Sequence, residues 1–313
     1  VFLFLLARKL TSTDGALAYR ASFDTAAANA NAELVWYDPK GSRLGVAGVE
    51  GDYPTPELSP DGKLVAFARG TPADIWWLDI EKNNRQTKLT TDAAPDMNPR
   101  WSPDGSIIAF DSSHEGGSGI YLRAVGVSGA DKLLFKSEGA KPITLSDWSR
   151  DGKYMAFVQD NDVWALELSG GEKSPPKAIQ ITKTPFTESL PRISPDNKWI
   201  AYVSNKTGQL EVYVQSFPEP GVEQQVSTGV QANSTNIQAH PHWSRDGKVL
   251  FYFTFSTRSF MAVSIKPSGA SLNAAAPVPV FPHPALRAPL STYFSVAADG
   301  RRLRLRVPSV GVE

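Results

Sequence analysis

The sequence predicts an all-β protein, a single β-propeller of four-stranded antiparallel blades. Three observations predict it. A hairpin motif recurs along the chain, a third apolar segment follows most copies of it, and no segment of ten or more residues has helical periodicity. Repetition of one small antiparallel sheet is typical of propellers, in which the sheets surround a central channel.

The hairpin motif consists of an apolar residue, Ser, Pro or Arg, Asp, Gly and Lys, followed by an apolar run. Clear copies are LSPDGKLVAF, WSPDGSIIAF, WSRDGKYMAF, ISPDNKWIAY and WSRDGKVLFY, and weaker copies are STDGALAY and VAADGRRLRL. Four short strands fit between successive copies, so we expect one propeller domain over residues 1–313. The hairpins are centred near Asp14, Asp61, Asp104, Asp151, Asp196, Asp246 and Asp299.

The motif has the composition of a tight turn between two strands. Asp61 suits a central position of a type I turn, and Gly62 suits the left-handed residue that follows it. Asn197 replaces this glycine once, and Asn tolerates positive φ better than most residues. Arg150 and Arg245 replace a proline that the turn prefers without requiring it. We therefore predict that the turn aspartates are structural, one in each blade.

The apolar runs favour a propeller over a sandwich. LVAF, IIAF and YMAF are apolar at successive positions, which indicates strands that are buried on both faces. A blade packed between two neighbouring blades has that environment, whereas a sandwich strand with one solvated face should alternate.

The number of blades follows from the number of hairpins. Seven aspartate-centred copies favour seven blades. Six blades are the alternative, if the copy at Asp14 is accidental and Ala16 to Arg20 help to close the last blade. Residues 266–290 are rich in Pro and Ala, and we expect a long connection there with a short strand near Val278 to Phe281.

Composition excludes several function classes. Lys plus Arg equals Asp plus Glu at 32 each, so the chain lacks the basic excess of a nucleic-acid-binding protein. The absence of cysteine excludes disulfides, thiolate metal sites and a cysteine nucleophile. The apolar run Val1 to Leu6 is far shorter than the ~20 residues that span a bilayer, so we expect no membrane insertion in this segment. We also expect no cofactor.

The motif resembles that of a known family. SPDGK, an apolar run and a following D-I-W or D-V-W strand resemble the TolB-type, WD40-like (PD40) propeller repeat, although the Gly-His and Trp-Asp signatures of true WD40 repeats are missing. ELVWYDPKGSRLG, YPTPELSPDGKLVAFAR and YFSVAADGRRL resemble the C-terminal propeller region of membrane-anchored bacterial Ser/Thr protein kinases more closely.

The resemblance implies a sensor or interaction module at the periplasmic or extracellular face, with a protein, a peptide or a small polar ligand as partner. It implies no kinase activity, because the Gly-rich loop, H-R-D and D-F-G are absent from this sequence.

Loops that lead into the innermost strands of a propeller crowd around one mouth of the channel, and loops on a rigid scaffold often carry function. The corresponding residues here mix aromatic, carboxylate and amide groups, which suits a polar ligand. The alternative is that they are ordinary solvated loop residues. The predicted ligand-binding residues are Tyr53, Asp96, Asn98, Asp147, Glu188, His240 and Tyr293.

Two other functions stay open at this point. Gln238, His240 and His242 alternate along a predicted strand, so they could face one metal ion, loosely as in the TolB-like oligogalacturonate lyases. A metal-dependent lyase or hydrolase is therefore one alternative to a non-catalytic binding module, although ordinary variation beside Trp243 is the favoured interpretation. No G-x-S-x-G nucleophile elbow is present, and we predict no catalytic residue. A structural, self-assembling module is the other alternative.

Overall fold

Antiparallel strands form nearly all of the regular structure of this chain. The structure is a computed structural model that describes residues 16–17, 32–37, 43–46, 53, 55–82, 84–114, 117–168, 175–227, 238–254, 257, 259–268, 271–282, 295–297 and 303–308. In these ranges the strands form six sheets, and the helical content is a 3₁₀ turn, Glu138–Ala140, and the 3₁₀ residue His114. The all-β prediction is confirmed.

Four of the sheets are blades of four consecutive strands, paired in chain order. Strands are numbered along the chain, and β1 (Ala16–Leu17), β2 (Ala32–Tyr37) and β3 (Arg43–Val46) precede the first of these blades. Blade I contains β4 (Glu57–Leu58), β5 (Leu64–Gly70), β6 (Ala73–Asp79) and β7 (Arg85–Lys88). Blade II contains β8 (Asp96–Trp101), β9 (Ile107–Ser112), β10 (Gly119–Ala124) and β11 (Lys132–Lys136).

Blades III and IV repeat the same pattern. Blade III contains β12 (Ile143–Trp148), β13 (Tyr154–Gln159), β14 (Asp162–Glu167) and β15 (Lys177–Gln180). Blade IV contains β16 (Glu188–Ile193), β17 (Trp199–Ser204), β18 (Glu211–Ser216) and β19 (Glu223–Gln225). The first strand of each blade is the innermost, and its hairpin to the second strand carries the sequence motif.

Blade V departs from the pattern at its outer edge. It contains β20 (Gln238–Trp243), β21 (Val249–Thr254), β22 (Ser259–Ser268), β23 (Ser271–Ala274) and β24 (Val278–Pro282). The long β22 pairs with β24 in its first half and forms a hairpin with β23 in its second half. The short strand expected near Val278 is confirmed, whereas the expected loop after Lys266 contains this additional hairpin.

Blade VI joins the two ends of the chain in one sheet. β25 (Ser295–Ala297) and β26 (Leu303–Pro308) pair with each other, β26 pairs with β2, and β1 pairs with β25, which gives the order β1-β25-β26-β2-β3. Ala16 and Leu17 therefore lie in the same sheet as the last hairpin and do not form an inner pair of their own. The described strands make six blades, the alternative arrangement, and the prediction of seven blades is not confirmed.

The motif turns have the predicted geometry. In blade I the Gly62 N–H donates to the Ser59 carbonyl, 2.8 Å, and Gly62 has φ +74°. The Ser59 hydroxyl donates to Asp61 at 2.6 Å and accepts from the Leu64 N–H at 2.9 Å, so the aspartate closes the turn. Asn197 takes the left-handed position in blade IV with φ +55°. The same serine-to-aspartate hydrogen bond recurs in the other four clear copies, so these turn aspartates are structural, as predicted. Asp14 and Asp299, the two weaker hairpin centres, lie outside the described residues.

Both faces of the second strands are buried, because each blade packs between two neighbours. In β5, Val65 and Phe67 pack with Leu34 and Leu58, on the side of blade VI, while the intervening Ala66 packs with Trp101 of blade II. The alanine recurs as Ala109, Ala156 and Ala201, each fully buried against the following blade. A small side chain at this position allows adjacent sheets to approach closely.

Each innermost strand from β8 to β20 has a register shift two or three residues before its end. In four blades the residue at this point has positive φ: Thr55 (48°), Asn98 (50°), Leu190 (54°) and His240 (58°). A proline follows each of these residues, and it has no N–H to lose from the ladder. Non-glycine residues at positive φ cost about 1–3 kcal/mol each and occur preferentially at functional sites.

Candidate functional site at the motif end of the channel

In blades I to V, one residue of the innermost strand lies at the channel, and in blades II to V a bulge precedes it. This residue directly precedes the apolar residue of the motif, and the side chains from blades I to V interact with one another electrostatically. We call this set the channel ring and the end of the channel beside it the motif end. The channel ring consists of Glu57, Arg100, Asp147, Arg192 and His242.

Ion pairs connect neighbouring members of the channel ring across blade boundaries. Arg100 Nη1 lies 3.6 Å from Glu57 Oε2, and Arg192 Nη1 lies 3.5 Å from Asp147 Oδ1. The Ser146 carbonyl of blade III accepts from Arg100 Nε on one side and from Arg192 Nη1 at 2.6 Å on the other. Three blades therefore meet at this single carbonyl.

Burial dominates the electrostatics of the channel ring. Desolvation raises the pKa of Glu57 and of Asp147, and the two arginines oppose the rise in both cases. Desolvation, with Arg192 as the next cause, lowers the pKa of His242 well below its usual value. The imidazole is consequently neutral at pH 7.

A cavity of about 410 Å³ opens at the motif end. Its floor contains four members of the channel ring, and its walls are formed by tryptophans, prolines and arginines of the motif turns. Trp101 and Trp243 each donate an indole N–H to a backbone carbonyl of the preceding blade, Glu57 and Arg192 respectively, at 3.1 and 3.0 Å. The lining residues of the walls include Pro60, Pro103, Pro195, Trp101, Trp148, Trp243, Arg150 and Arg245.

Only one of the predicted ligand-binding residues, Asp147, lines this cavity. It precedes the motif in β12, whereas Asp96 and Glu188 begin β8 and β16. A six-residue strand is roughly 20 Å long, so the predicted set mixes residues from opposite ends of the channel. Tyr293 lies outside the described residues.

The other predicted residues are buried within blades or between them. Tyr53 is fully buried against Phe67, with the ring centroids 4.9 Å apart. Glu188 is 1% exposed and accepts hydrogen bonds from the Ser204 and Thr184 hydroxyls at 2.9 and 2.8 Å. These contacts give the side chains of Tyr53 and Glu188 a structural role.

Asn98 connects two blades. Its amide donates to Asp111 at 3.0 Å, and Asp111 also accepts from the Leu145 N–H of blade III at 2.9 Å. Burial raises the pKa of Asp111 to about 7. Asn98 therefore positions a buried carboxyl group at the interface of blades II and III and does not reach the cavity.

The weak metal candidates remain a prediction. The bulge at β20 breaks the alternation that would have placed Gln238, His240 and His242 on one face, and the Gln238 side chain lies outside the described residues. Arg192 affects the pKa of both histidines. Burial lowers the pKa of His240 to about 3. A guanidinium this close opposes the binding of a divalent cation.

A different group of potential metal ligands lies in blade II. Asp92, Asp96, His114 and Asp131 offer ligand atoms within 4.8 Å of one another. His114 Nε2 contacts both Asp92 and Asp96, the latter at 3.1 Å, and Arg123 pairs with Asp131 at 3.0 Å. Each member thus has a partner inside the cluster or beside it, while the second carboxylate oxygen of Asp96, Oδ2, is buried without a hydrogen-bond partner.

Alignment of the repeats on their motif could have found the channel ring. The position before the apolar residue is Glu, Arg, Asp, Arg and His in the five clear copies, a run of charged and polar residues directly beside a buried strand. Alternating signs at such a position indicate ion pairs between neighbouring blades.

The fold and the site define a β-propeller of radial four-stranded blades with a charged channel and a cavity at its motif end. Residues 12–174, just over half of the chain, match the family described as TolB beta propeller domain (PD40). The chain belongs to this family. No helix in the described ranges has the length and apolar character needed to cross a membrane.

Curated relatives include an uncharacterized protein of Agrobacterium fabrum, 27% identical over 168 residues, which are 51% of this chain and 54% of that protein. The Tol-Pal system protein TolB of Bordetella pertussis is 26% identical over 146 residues, 46% of this chain and 32% of TolB. The alignments therefore span between a third and about half of these relatives.

Solved structures agree on the fold. A TolB-type protein of Agrobacterium tumefaciens superposes with a TM-score of 0.63 at 18% identity, covering 90% of this chain and 99% of that one. An oligogalacturonate lyase in complex with manganese gives 0.54 at 11% identity, covering 85% and 74%. Binding proteins and enzymes share this fold, so function has to be argued from the site.

Proposed function

We propose that this propeller is a protein-interaction module that binds a peptide segment of a partner at the motif-end cavity and has no chemistry of its own. The observation that carries the proposal is the cavity itself. Its volume of about 410 Å³ falls within the range of ligand sites, and its walls combine tryptophan and arginine, which are enriched at protein interfaces.

The state of the acidic and basic groups supports binding rather than catalysis. Asp147 contacts Arg192 and accepts the Ile193 N–H at 2.7 Å, so its oxygens are already engaged. The low pKa of His242 makes its imidazole a weak base at pH 7. His242 therefore lacks the proton affinity that a general base needs near neutral pH.

Family membership and the kinase-propeller resemblance support a finer proposal, a sensor or interaction domain at the periplasmic or extracellular face. Several relatives carry the name Tol-Pal system protein TolB. Sequencing of the gene upstream of Val1 tests the relation to kinase propellers. An adjoining domain of another type would contradict that relation. Fractionation of cells that express the tagged native protein tests the location, and recovery in the cytoplasm would contradict it.

A single domain over residues 1–313 is part of the proposal, and its support is the pairing of β26 with β2 in blade VI. Self-assembly stays an alternative. Light scattering of the purified chain distinguishes a binding module from a self-assembling module, because the binding module should be monomeric at micromolar concentration.

The experiment is a selection of random heptapeptides displayed on phage with the immobilised protein, followed by titration of the selected peptides as synthetic compounds. Pro60 lines the cavity and is exposed, so Pro60→Trp should obstruct the opening and weaken binding at least about tenfold. Val127→Trp, at a 61% exposed position on the outer side of blade II, is the matched control. Failure to select any peptide, or equal affinity for both variants, would overturn the proposal.

A further inference from the structure

Two of the five clear motif copies carry arginine where the others carry proline, and the structure gives the substitution a consequence. Arg150 follows β12 and Arg245 follows β20, so these residues belong to blades III and V, on either side of blade IV. Both line the motif-end cavity, and both are exposed there. A proline at this position ends at the turn, whereas an arginine extends a guanidinium into the cavity opening.

The two arginines lie close together. Arg150 Nη1 donates to the Arg245 carbonyl oxygen at 3.3 Å, across the width of blade IV. Arg150 is exposed, but the partial desolvation of its side chain, together with the nearby charge of Arg245, lowers its pKa. Two guanidinium groups in one opening repel each other, and an anion that bonds to both would convert that repulsion into charge-assisted hydrogen bonds.

The charges of the lining as a whole favour an anion. Three arginines and two carboxylates line the cavity, and His242 is neutral. The two carboxylates lie on the floor, where Glu57 contacts Arg100 and Asp147 contacts Arg192. Among the lining residues, positive charge therefore predominates toward the opening, and Asp246 of the same turn as Arg245 is a negative charge near Arg150.

We propose that the motif-end cavity is a carboxylate-binding site, in which Arg150 and Arg245 hold the carboxylate groups of an acidic peptide while Trp148 and the turn prolines contact its apolar part. The proposal deepens the proposed function and rests on the same cavity. The carboxylate belongs either to Asp or Glu side chains or to the C-terminus of the peptide.

Arg150→Pro/Arg245→Pro is the informative variant, because it restores the residue that three other motif copies carry at Pro60, Pro103 and Pro195 and so should fold. Arg85→Gln/Lys132→Gln, at exposed positions on outer strands, removes the same charge away from the cavity. Heptapeptides are selected from one phage library with tethered C-termini and one with free C-termini, then titrated as synthetic peptides by calorimetry.

We expect enrichment of Asp and Glu or dependence on a free C-terminus, and the replacement of the carboxylate by an amide identifies which source is bound. The double proline variant should lose at least about tenfold in affinity, because it removes both charged hydrogen-bond donors, and the outer-strand variant should lose little. Selected peptides with equal affinity for wild type and the proline variant would overturn this inference alone. Failure to select any peptide would overturn the proposed function with it.

Discussion

Arg192 Nη1 lies 3.5 Å from Asp147 Oδ1 across the boundary between blades III and IV, with side-chain exposures of 12% and 20%. The pair is one of two that connect neighbouring blades through the channel ring. Most other contacts between adjacent sheets are apolar, so these ion pairs, together with hydrogen bonds such as that from Leu145 to Asp111, help to fix the register of adjacent blades.

Arg192→Met should destabilise the protein by about 3–5 kcal/mol, because it leaves the Asp147 carboxylate buried without its counterion. Lys63→Met is the control, since Lys63 pairs with Glu81 at 3.1 Å on the surface, where solvent screens the pair and its loss should change stability little. Urea unfolding of both variants measures the difference. Equal losses would show that the channel pair is not a buried constraint.

Asp111→Asn should flatten the dependence of stability on pH. The folded-state pKa of Asp111 is about 7, above its ordinary value of 3.8, so the native state binds more protons than the unfolded state between those values. Stability from this group is therefore present at low pH and is lost as pH rises toward 7. Thermal melts from pH 5 to 8 should decline less steeply in Asp111→Asn than in wild type.

Glu81→Gln, which removes a surface carboxylate, controls for net charge in the same melts. If wild type and Asp111→Asn have parallel pH profiles, the carboxyl group between blades II and III is not protonated in the way described.

The turn aspartates should act in the opposite direction at acid pH. Desolvation opposes the shift at Asp151, but its hydrogen bonds prevail and lower the pKa to about 2, and the Ser102 and Ser106 hydrogen bonds do the same at Asp104. Stabilisation by these groups is present above about pH 4 and is lost as pH falls toward 2. Asp104→Asn/Asp151→Asn should be less stable at pH 7 and should converge with wild type at pH 2. A constant difference in urea midpoint across this range would contradict the assignment.

Trp243→Phe should cost about 1 kcal/mol, because it removes the indole hydrogen bond to the Arg192 carbonyl of blade IV but keeps an aromatic ring in the core. Trp148→Phe is the matched control, since the Trp148 indole bonds only to Gly152 of its own hairpin at 3.4 Å. Chemical unfolding should rank Trp243→Phe as the less stable of the two. The reverse order would indicate that the bond between blades contributes nothing.

The fold could be predicted from the sequence because local interactions determine the structure of the motif. A turn closed by Asp61 and Gly62 and a run such as LVAF each have one favourable structure, a tight hairpin and a strand buried on both faces. The number of blades was harder to predict from the sequence. It depends on the pairing of β26 with β2, which are far apart in the chain, and no local pattern encodes that pairing.

The site was only partly predictable. Of the residues predicted at a channel mouth, Asp147 lines the cavity, whereas the side chains of Tyr53 and Glu188 are buried. The positive φ of residues such as Leu190 and His240 rotates the following residues relative to regular alternation, and a sequence pattern does not display this bulge. The arginines at positions 150 and 245 were visible in the motif, but only the structure places them in one cavity.

The most direct measurement is photo-crosslinking of a selected acidic peptide, with a diazirine residue next to its carboxylate, followed by mass spectrometry of the crosslinked protein. Crosslinks should concentrate on the motif turns around Trp148, Pro195 and Arg245 and should disappear in Arg150→Pro/Arg245→Pro. Crosslinks at the opposite end of the channel, near Asp96 and Glu188, or on the outer strands would contradict a binding site at the motif end.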